Sequence, residues 1–351
     1  MLSESFLNSK IMKICIGIQN INEIKALVQA GADEFFCGFT PKEWRDKFIP
    51  EVGLNRRESS FSCSKTRTNI NIGTYAELKD VIKEIHKYSK KLYINFNAHY
   101  YTASALPLLH KILNNCVKYK VDGMTIADLA LLIKLKEWKI KTKIILSGEF
   151  GIRNSQDLTF INNNFEISRV IFPRHITTKD MTALISAFPQ YEYEAFAMNT
   201  RCPFDGANCF AFHAGKKVRI RLCANLLNSI KELSFKKNKS SAFIKKAFDN
   251  LEKYIDRETN RNPSVFKSAN RYLKPPHCGL CELPTLKKAR VDVIKICGRE
   301  GQLLEEKILA VRLAKEIITN NHSTKKIQAI YSACYANNRR EICKSKYLCY
   351  Y

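Results

Sequence analysis

From residue 13 onward the chain alternates short apolar runs with longer segments whose apolar residues recur at helical spacing. Eight runs have the length and residue types of strands: 14–18, 34–36, 92–96, 123–126, 144–146, 170–172, 193–197 and 293–296. Between them, 21–30, 75–88, 105–119, 127–136 and 179–188 carry the period of amphipathic helices, and 155–161 a shorter, weaker version. Such alternation predicts parallel βα units. Eight of them in about 290 residues predict a (β/α)8 TIM-type barrel, class α/β. A doubly wound open sheet would use the same units, but no GxGxxG follows the first strand.

Two connections are too long for a plain barrel. Residues 39–73 follow the second strand and have the length of a lid, an extra hairpin or a binding loop. Residues 199–282 form a larger, cysteine-bearing insertion between strands seven and eight. The expected organisation is an extension at 1–11, a barrel over 12–316 that includes this insertion, and a polar tail at 317–351.

Composition narrows the classes. A chain of 351 residues with 45% hydrophobic content can bury a large core, which excludes wholesale disorder. Thirteen cysteines without a secretory pattern point to thiols and metal ligands in a reducing compartment, so a cytoplasmic protein is expected. No apolar run approaches the roughly 18–20 residues that span a bilayer, so no membrane insertion is expected. The 58 basic residues against 33 acidic ones give +25, an excess that attracts polyanions, RNA first among them. Part of that excess follows from Lys, Asn and Ile being frequent along the whole chain. Residues 231–274 concentrate it, with twelve Lys or Arg against five acids, a net +7. This stretch reads either as a solvated arm or as a phosphate-contacting one.

The densest chemistry lies at RCPFDGANCFAFHAGKKVRIRLC, residues 201–223. Cys202, Cys209 and Cys223 fall there, and Cys278 and Cys281 follow the basic stretch. Four thiolates from separated positions suit an iron–sulfur cluster or a structural zinc, and buried thiols are the bland alternative. In a barrel, residues that follow strand seven and residues that lead into the helix before strand eight share the strand C-terminal face. The thiols can therefore meet at one mouth. Cys334, Cys343 and Cys349 match no metal spacing and are expected to be reducible thiols.

Several segments together resemble the collagenase-like peptidase family, a peptidase family of unknown catalytic type. IGIQNINEIKALVQAGADEFFCG resembles its first βα unit and second strand. GIRNSQDLTFI, VIFPRHITTKDM and EAFAMNTRCPFDGANC resemble its later strand ends, and CGLCELPTLKKARVDVIKICGRE its closing signature. The likeness covers about residues 12–316. It implies that Cys202, Cys209, Cys223 and Cys278 hold a 4Fe–4S cluster, with Cys281 in reserve. The sequence departs from the family pattern at His175 and Cys297, each standing where the family usually has Glu. The resemblance further implies an enzyme of oxygen-independent hydroxylation or modification, acting on an aromatic or quinone precursor, as in ubiquinone biosynthesis, or on an RNA base. A heteromeric partner of the same family is part of that implication. The alternatives are a peptidase acting on proteins and a non-catalytic iron–sulfur partner subunit.

No HExxH helix or GxSxG elbow supports the peptidase reading. The candidate catalytic residues are Glu149 after strand five, Arg174 and His175 after strand six, and Arg299 after strand eight. Asn95, Asn97 and His99 leave strand three toward the same face. Lys295 reads equally well as a satisfied residue of the barrel interior. Arg174 and Arg299 are expected to hold an anionic group of a small-molecule or RNA substrate, because guanidinium forks match carboxylate and phosphate.

Overall fold

The computed structural model describes residues 11–49, 52–56, 71–199, 277–298, 303–320, 322–334 and 349–351. Eight strands close into a barrel in sequence order, every neighbouring pair parallel. They are β1 Lys13–Gly17, β2 Glu34–Gly38, β3 Lys91–Phe96, β4 Gly123–Ile126, β5 Ile144–Leu146, β6 Arg169–Ile171, β7 Glu192–Met198 and β8 Val293–Ile296. Pairing of β1 with β8 at Lys13↔Val293 through Ile16↔Ile296 completes the ring. The expected barrel is present.

Helices pack outside the strands: α1 Ile24–Ala30, α2 Lys42–Phe48, α3 Tyr75–Lys87, α4 Leu106–Lys118, α5 Leu129–Glu137, α6 Ser155–Asn164, α7 Thr178–Ala187, α8 Leu283–Lys288, α9 Leu304–Asn320 and α10 Thr324–Cys334. Local chemistry sets where several begin. Thr74 and Glu77 form a reciprocal capping box at α3, and Asn154 and Asp157 form another at α6. Leu78, Val81, Ile82 and Ile85 give α3 a buried stripe at helical spacing. The segment expected as one helix over 21–30 opens instead with a 3-10 turn at Ile21–Glu23, capped by the Asn20 side chain.

The long connection after β2 contains α2, whose Trp44 is fully buried and donates its indole N–H to the Val52 carbonyl at 2.9 Å. At the other end, α9 runs through the boundary expected near residue 316, with Ala310, Val311, Ala314 and Ile317 buried. In α10, Ile327 and Tyr331 join the same core. Residues expected to form a polar tail therefore supply core side chains.

The main core lies between strands and helices, and a second apolar cluster fills the barrel itself. Cys15, Phe36, Tyr93, Ile145, Ile171, Phe196, Val293 and Cys297 belong to this inner cluster, together with Tyr350. Below it, the strand starts carry charge. Arg169 Nη1 donates to Glu34 at 2.7 Å and to Glu194 at 2.9 Å, and its Nη2 donates to Glu192 at 2.9 Å. Lys13 Nζ donates to Glu34 at 3.0 Å and Glu192 at 2.8 Å. Lys295 Nζ reaches Glu194 at 2.6 Å. Three cations thus face three carboxylates, the balance a buried cluster requires. Burial opposes ionisation of Glu34, but the Arg169 and Lys13 charges overcome it and hold the carboxyl below its usual range.

Candidate active site

At the C-terminal ends of the strands the inner cluster gives way to a polar pocket of about 60 Å³. Its walls come from β2 (Phe36), β3 and its exit (Asn95, Asn97), β4 (Thr125), and the exit of β5 (Ser147, Gly148, Glu149). The other side is built from Ile171 of β6, Arg174 beyond it, Phe196 of β7, Lys295 of β8, and Cys297 and Gly298 after β8. Arg56, from the long connection after β2, closes the lining. Contributions from the ends of several different strands are what a barrel active site consists of.

Glu149 is the centre. Its Oε1 accepts from Arg56 Nη1 and from Arg174 Nη1, each at 2.6 Å. His99 Nε2 stands 3.7 Å from the other oxygen, Oε2, beyond hydrogen-bond reach. Burial pushes the Glu149 carboxyl up, but the Arg174 and Arg56 charges prevail and leave it well below the usual carboxylate range. The converse holds for Arg174: burial disfavours its charge, and Glu149 more than restores it. The Arg174 guanidinium also lies 4.5 Å from the Phe196 ring centre. Three buried polar atoms here have no hydrogen-bond partner among the described residues: Glu149 Oε2, Arg174 Nε and Asn95 Oδ1.

Lys295 serves two layers. It lines the pocket, sits 4.0 Å from the centre of the Phe36 ring, and pairs with Glu194 of the charged floor. Burial works against its charge, yet Glu194 raises its pKa overall, so the amine stays protonated.

Gly148 is required by close approach. A Cβ built there would lie 2.9 Å from the Phe172 carbonyl oxygen and 3.1 Å from Phe196 Cε2. The backbone between Ser147 and Glu149 can therefore press against β6 and β7 only without a side chain.

The sequence-derived candidates divide. Glu149, Arg174, Asn95, Asn97 and Lys295 meet in the pocket, and His99 stands beside Glu149. His175 does not join them: its side chain is exposed and does not line the pocket. Arg299 lies outside the described residues, as do Cys202, Cys209, Cys223, Cys343 and the basic stretch 231–274. Cys334 is half-buried at the end of α10. Sequence reasoning missed Arg56, Ser147, Thr125 and Phe196. Arg56 gave one usable signal, since a βα connection after β2 must open onto this face.

Cys278 is held where the chain leaves β7. The Asn199 N–H donates to His277 O at 2.8 Å, and the Gly279 N–H donates to Ala197 O at 2.7 Å. Met198 and Cys278 thereby form an antiparallel bridge. Asn199 has φ 79°, and its Nδ2 donates to Cys297 O at 2.6 Å, tying this corner to the exit of β8. Among the described residues no three His, Cys, Asp or Glu side chains converge as a metal site.

The family model for peptidase family U32 matches residues 19–351, nearly the whole chain. The chain belongs to peptidase family U32. A U32 peptidase of known structure is 11% identical, with a TM-score of 0.40, covering 54% of this chain and 69% of that one. Thiamine phosphate pyrophosphorylase from Pyrococcus furiosus is 8% identical with a TM-score of 0.42, covering 89% of this chain and 97% of its own. CdNal from Clostridium difficile, solved with mannosamine, is 8% identical with a TM-score of 0.43, covering 92% and 80%. The barrel assignment rests on this U32 chain's own strand order. No helix among its described residues is long and apolar enough to cross a membrane.

Proposed function

We infer that this U32 protein is an oxygen-independent hydroxylating or modifying enzyme, with a 4Fe–4S cluster held beside a small anion-accepting pocket. The observation that carries the reading is the convergence of Arg56 and Arg174 on one oxygen of Glu149, inside a recess of about 60 Å³. Buried polar atoms are ordinarily satisfied, so Arg174 Nε, Glu149 Oε2 and Asn95 Oδ1 call for a polar ligand or water. A recess of this size suits one small polar or anionic group. Its described lining includes the Cys297 thiol but no histidine, which disfavours a thiol–imidazole peptidase built into the pocket itself.

One described thiol, Cys278, supports a cluster at the rim. The bridge to Met198 places Cys278 alongside the last residues of β7, and Cys202 follows four residues after Met198 in sequence. Thiolates are the donors such a cluster takes. Cys202, Cys209, Cys223 and Cys278 would hold it, and when bound it would supply electron transfer at the barrel mouth. The chain's own residues have separate tasks. Arg174, packed on the Phe196 ring, orients an anionic group, and Lys295 keeps a further positive charge below.

Titration calorimetry with a panel of small carboxylates and inorganic phosphate tests the pocket. Wild type should bind at least one of them, and Arg174→Ala should weaken that binding by roughly tenfold or more, as loss of a charge-assisted contact of about 1.5–3 kcal/mol implies. Equal binding by both proteins, or none by wild type, would remove the pocket from the account.

A further inference from the structure

The pocket wall carries a thiol that the account so far leaves without a task. Cys297 follows β8, is 8% exposed and forms no disulfide. It belongs to the inner-barrel cluster with Phe36 and Phe196, the two aromatic walls of the recess, and lines that recess with them. Arg56, Arg174 and Lys295 line the same recess against one carboxylate, Glu149, so positive charge is in surplus around the thiol. The backbone that presents it is pinned on both sides. The Cys297 N–H donates to Met198 O at 3.1 Å, and Asn199 Nδ2 donates to Cys297 O at 2.6 Å. Gly298 then turns the chain with φ 152° and adds no side chain to the wall. A separate observation points to a ligand here. Arg174 Nε, Glu149 Oε2 and Asn95 Oδ1 have no hydrogen-bond partner among the described residues, and all three residues are more than nine-tenths buried and line the recess.

We propose that Cys297 is a nucleophilic modification site: its thiolate reacts with small carboxylate-bearing electrophiles that the pocket cations draw in and hold. The proposal rests on the anion-accepting reading of the pocket given above. The thiolate is the attacking form of a cysteine, and neighbouring Lys or Arg favours it. Burial opposes the charges of Arg174 and Lys295, Glu149 and Glu194 restore them, and an ionised Cys297 adds to both. Arg174 also suits the other reactant, because a guanidinium fork matches a carboxylate. The recess is small, so a carboxylate bound there shares its space with the thiol. In the reaction the sulfur forms a bond to the carbon beside the carboxylate. The bond from that carbon to its leaving group breaks, the leaving group takes the electron pair, and the thiol proton goes to solvent. No oxidant, reductant or further reactant is required.

Iodoacetate and iodoacetamide, alike in size and different in charge, test this on the full chain, with mass spectrometry of the labelled peptides reading each cysteine separately. Cys334, half-buried on α10 and outside the pocket lining, is the internal reference. The ratio of iodoacetate rate to iodoacetamide rate at Cys297 should exceed that at Cys334 by roughly tenfold or more, the low end of what a charged cleft does to the local concentration of an anion. Excess acetate, against chloride at equal ionic strength, should protect Cys297 from iodoacetate and leave Cys334 unchanged. Arg174→Gln should bring the ratio at Cys297 down toward that at Cys334; should this variant fail to fold, acetate protection of wild type decides. Equal ratios at the two thiols, no labelling of Cys297 by either reagent, or no protection by acetate would overturn the proposal. Anion binding in the calorimetric titration without selective labelling defeats this proposal alone, whereas a wild type that binds no anion removes the pocket reading with it.

Discussion

Replacing Arg169 with Met removes the one guanidinium that touches all three carboxylates of the barrel floor. Arg169 and Glu194 are each 1% exposed and Glu34 2%, so solvent cannot replace the lost contacts. The wild-type cluster balances Lys13, Arg169 and Lys295 against Glu34, Glu192 and Glu194. The variant keeps three carboxylates and two amines, and one buried negative charge is left over. Breaking a buried pair by removing one partner costs about 3–5 kcal/mol, a large share of the roughly 5–15 kcal/mol that holds a domain folded. The pH dependence gives a sharper check. An unpaired buried carboxylate has its folded pKa raised above the unfolded value of about 4.3. The variant's folded state then binds a proton that its unfolded state does not, so its stability rises as pH falls from 7 toward 5. In wild type, Glu34 and Glu192 are shifted the other way and lose nothing in that window. Guanidinium unfolding of both proteins at pH 7 and pH 5 should show a deficit of about 3–5 kcal/mol that narrows on acidification. A deficit under about 1 kcal/mol, or one independent of pH, would refute the reasoning.

Two further outcomes follow from the same geometry. Gly148→Ala forces a Cβ to 2.9 Å from a backbone oxygen; it should cost about 1–3 kcal/mol in unfolding experiments and abolish anion binding, because the Ser147–Glu149 wall must move. Wild type should lose stability in acid between about pH 4.3, the ordinary Glu value, and pH 2: burial opposes ionisation of Glu192, but Lys13 and Arg169 hold its pKa down at about 2, so its contribution persists above the unfolded pKa and vanishes as pH falls through the folded one. Circular dichroism across that range reads it, and an acid-insensitive fold would contradict the floor network.

The strands were legible because their apolar runs exceed anything around them, and their bounds differ from the expected ones by one or two residues at β1, β2, β3, β6 and β7. Arg169 and Glu192 open β6 and β7 one residue before the apolar pattern does. Charged residues at a strand start read as surface, and nothing in a linear pattern shows that Lys13, Glu34, Arg169 and Glu192 face one another across a barrel. The site was legible where barrel geometry does the locating. Glu149 and Arg174 follow strand ends, and the rule that such residues share a face brought them together. His175, in the turn beyond β6, is exposed and does not line the pocket. Arg56 was missed because its loop has no periodicity to register it. The docking of Tyr350 was equally invisible: the bridge between Cys349 and Cys278 depends on tertiary closure and leaves no local trace.

The proposed 4Fe–4S cluster has one candidate ligand among the described residues, Cys278, which is bridged to the last residue of β7. Anaerobic reconstitution followed by iron determination and Mössbauer spectroscopy tests it most directly, on wild type, Cys278→Ala and Cys281→Ala. The account predicts about four irons per chain in wild type, as a 4Fe–4S cluster requires, with the same content in Cys281→Ala and loss of the cluster in Cys278→Ala. A full cluster in Cys278→Ala, or stoichiometric zinc and no cluster in wild type, would contradict it.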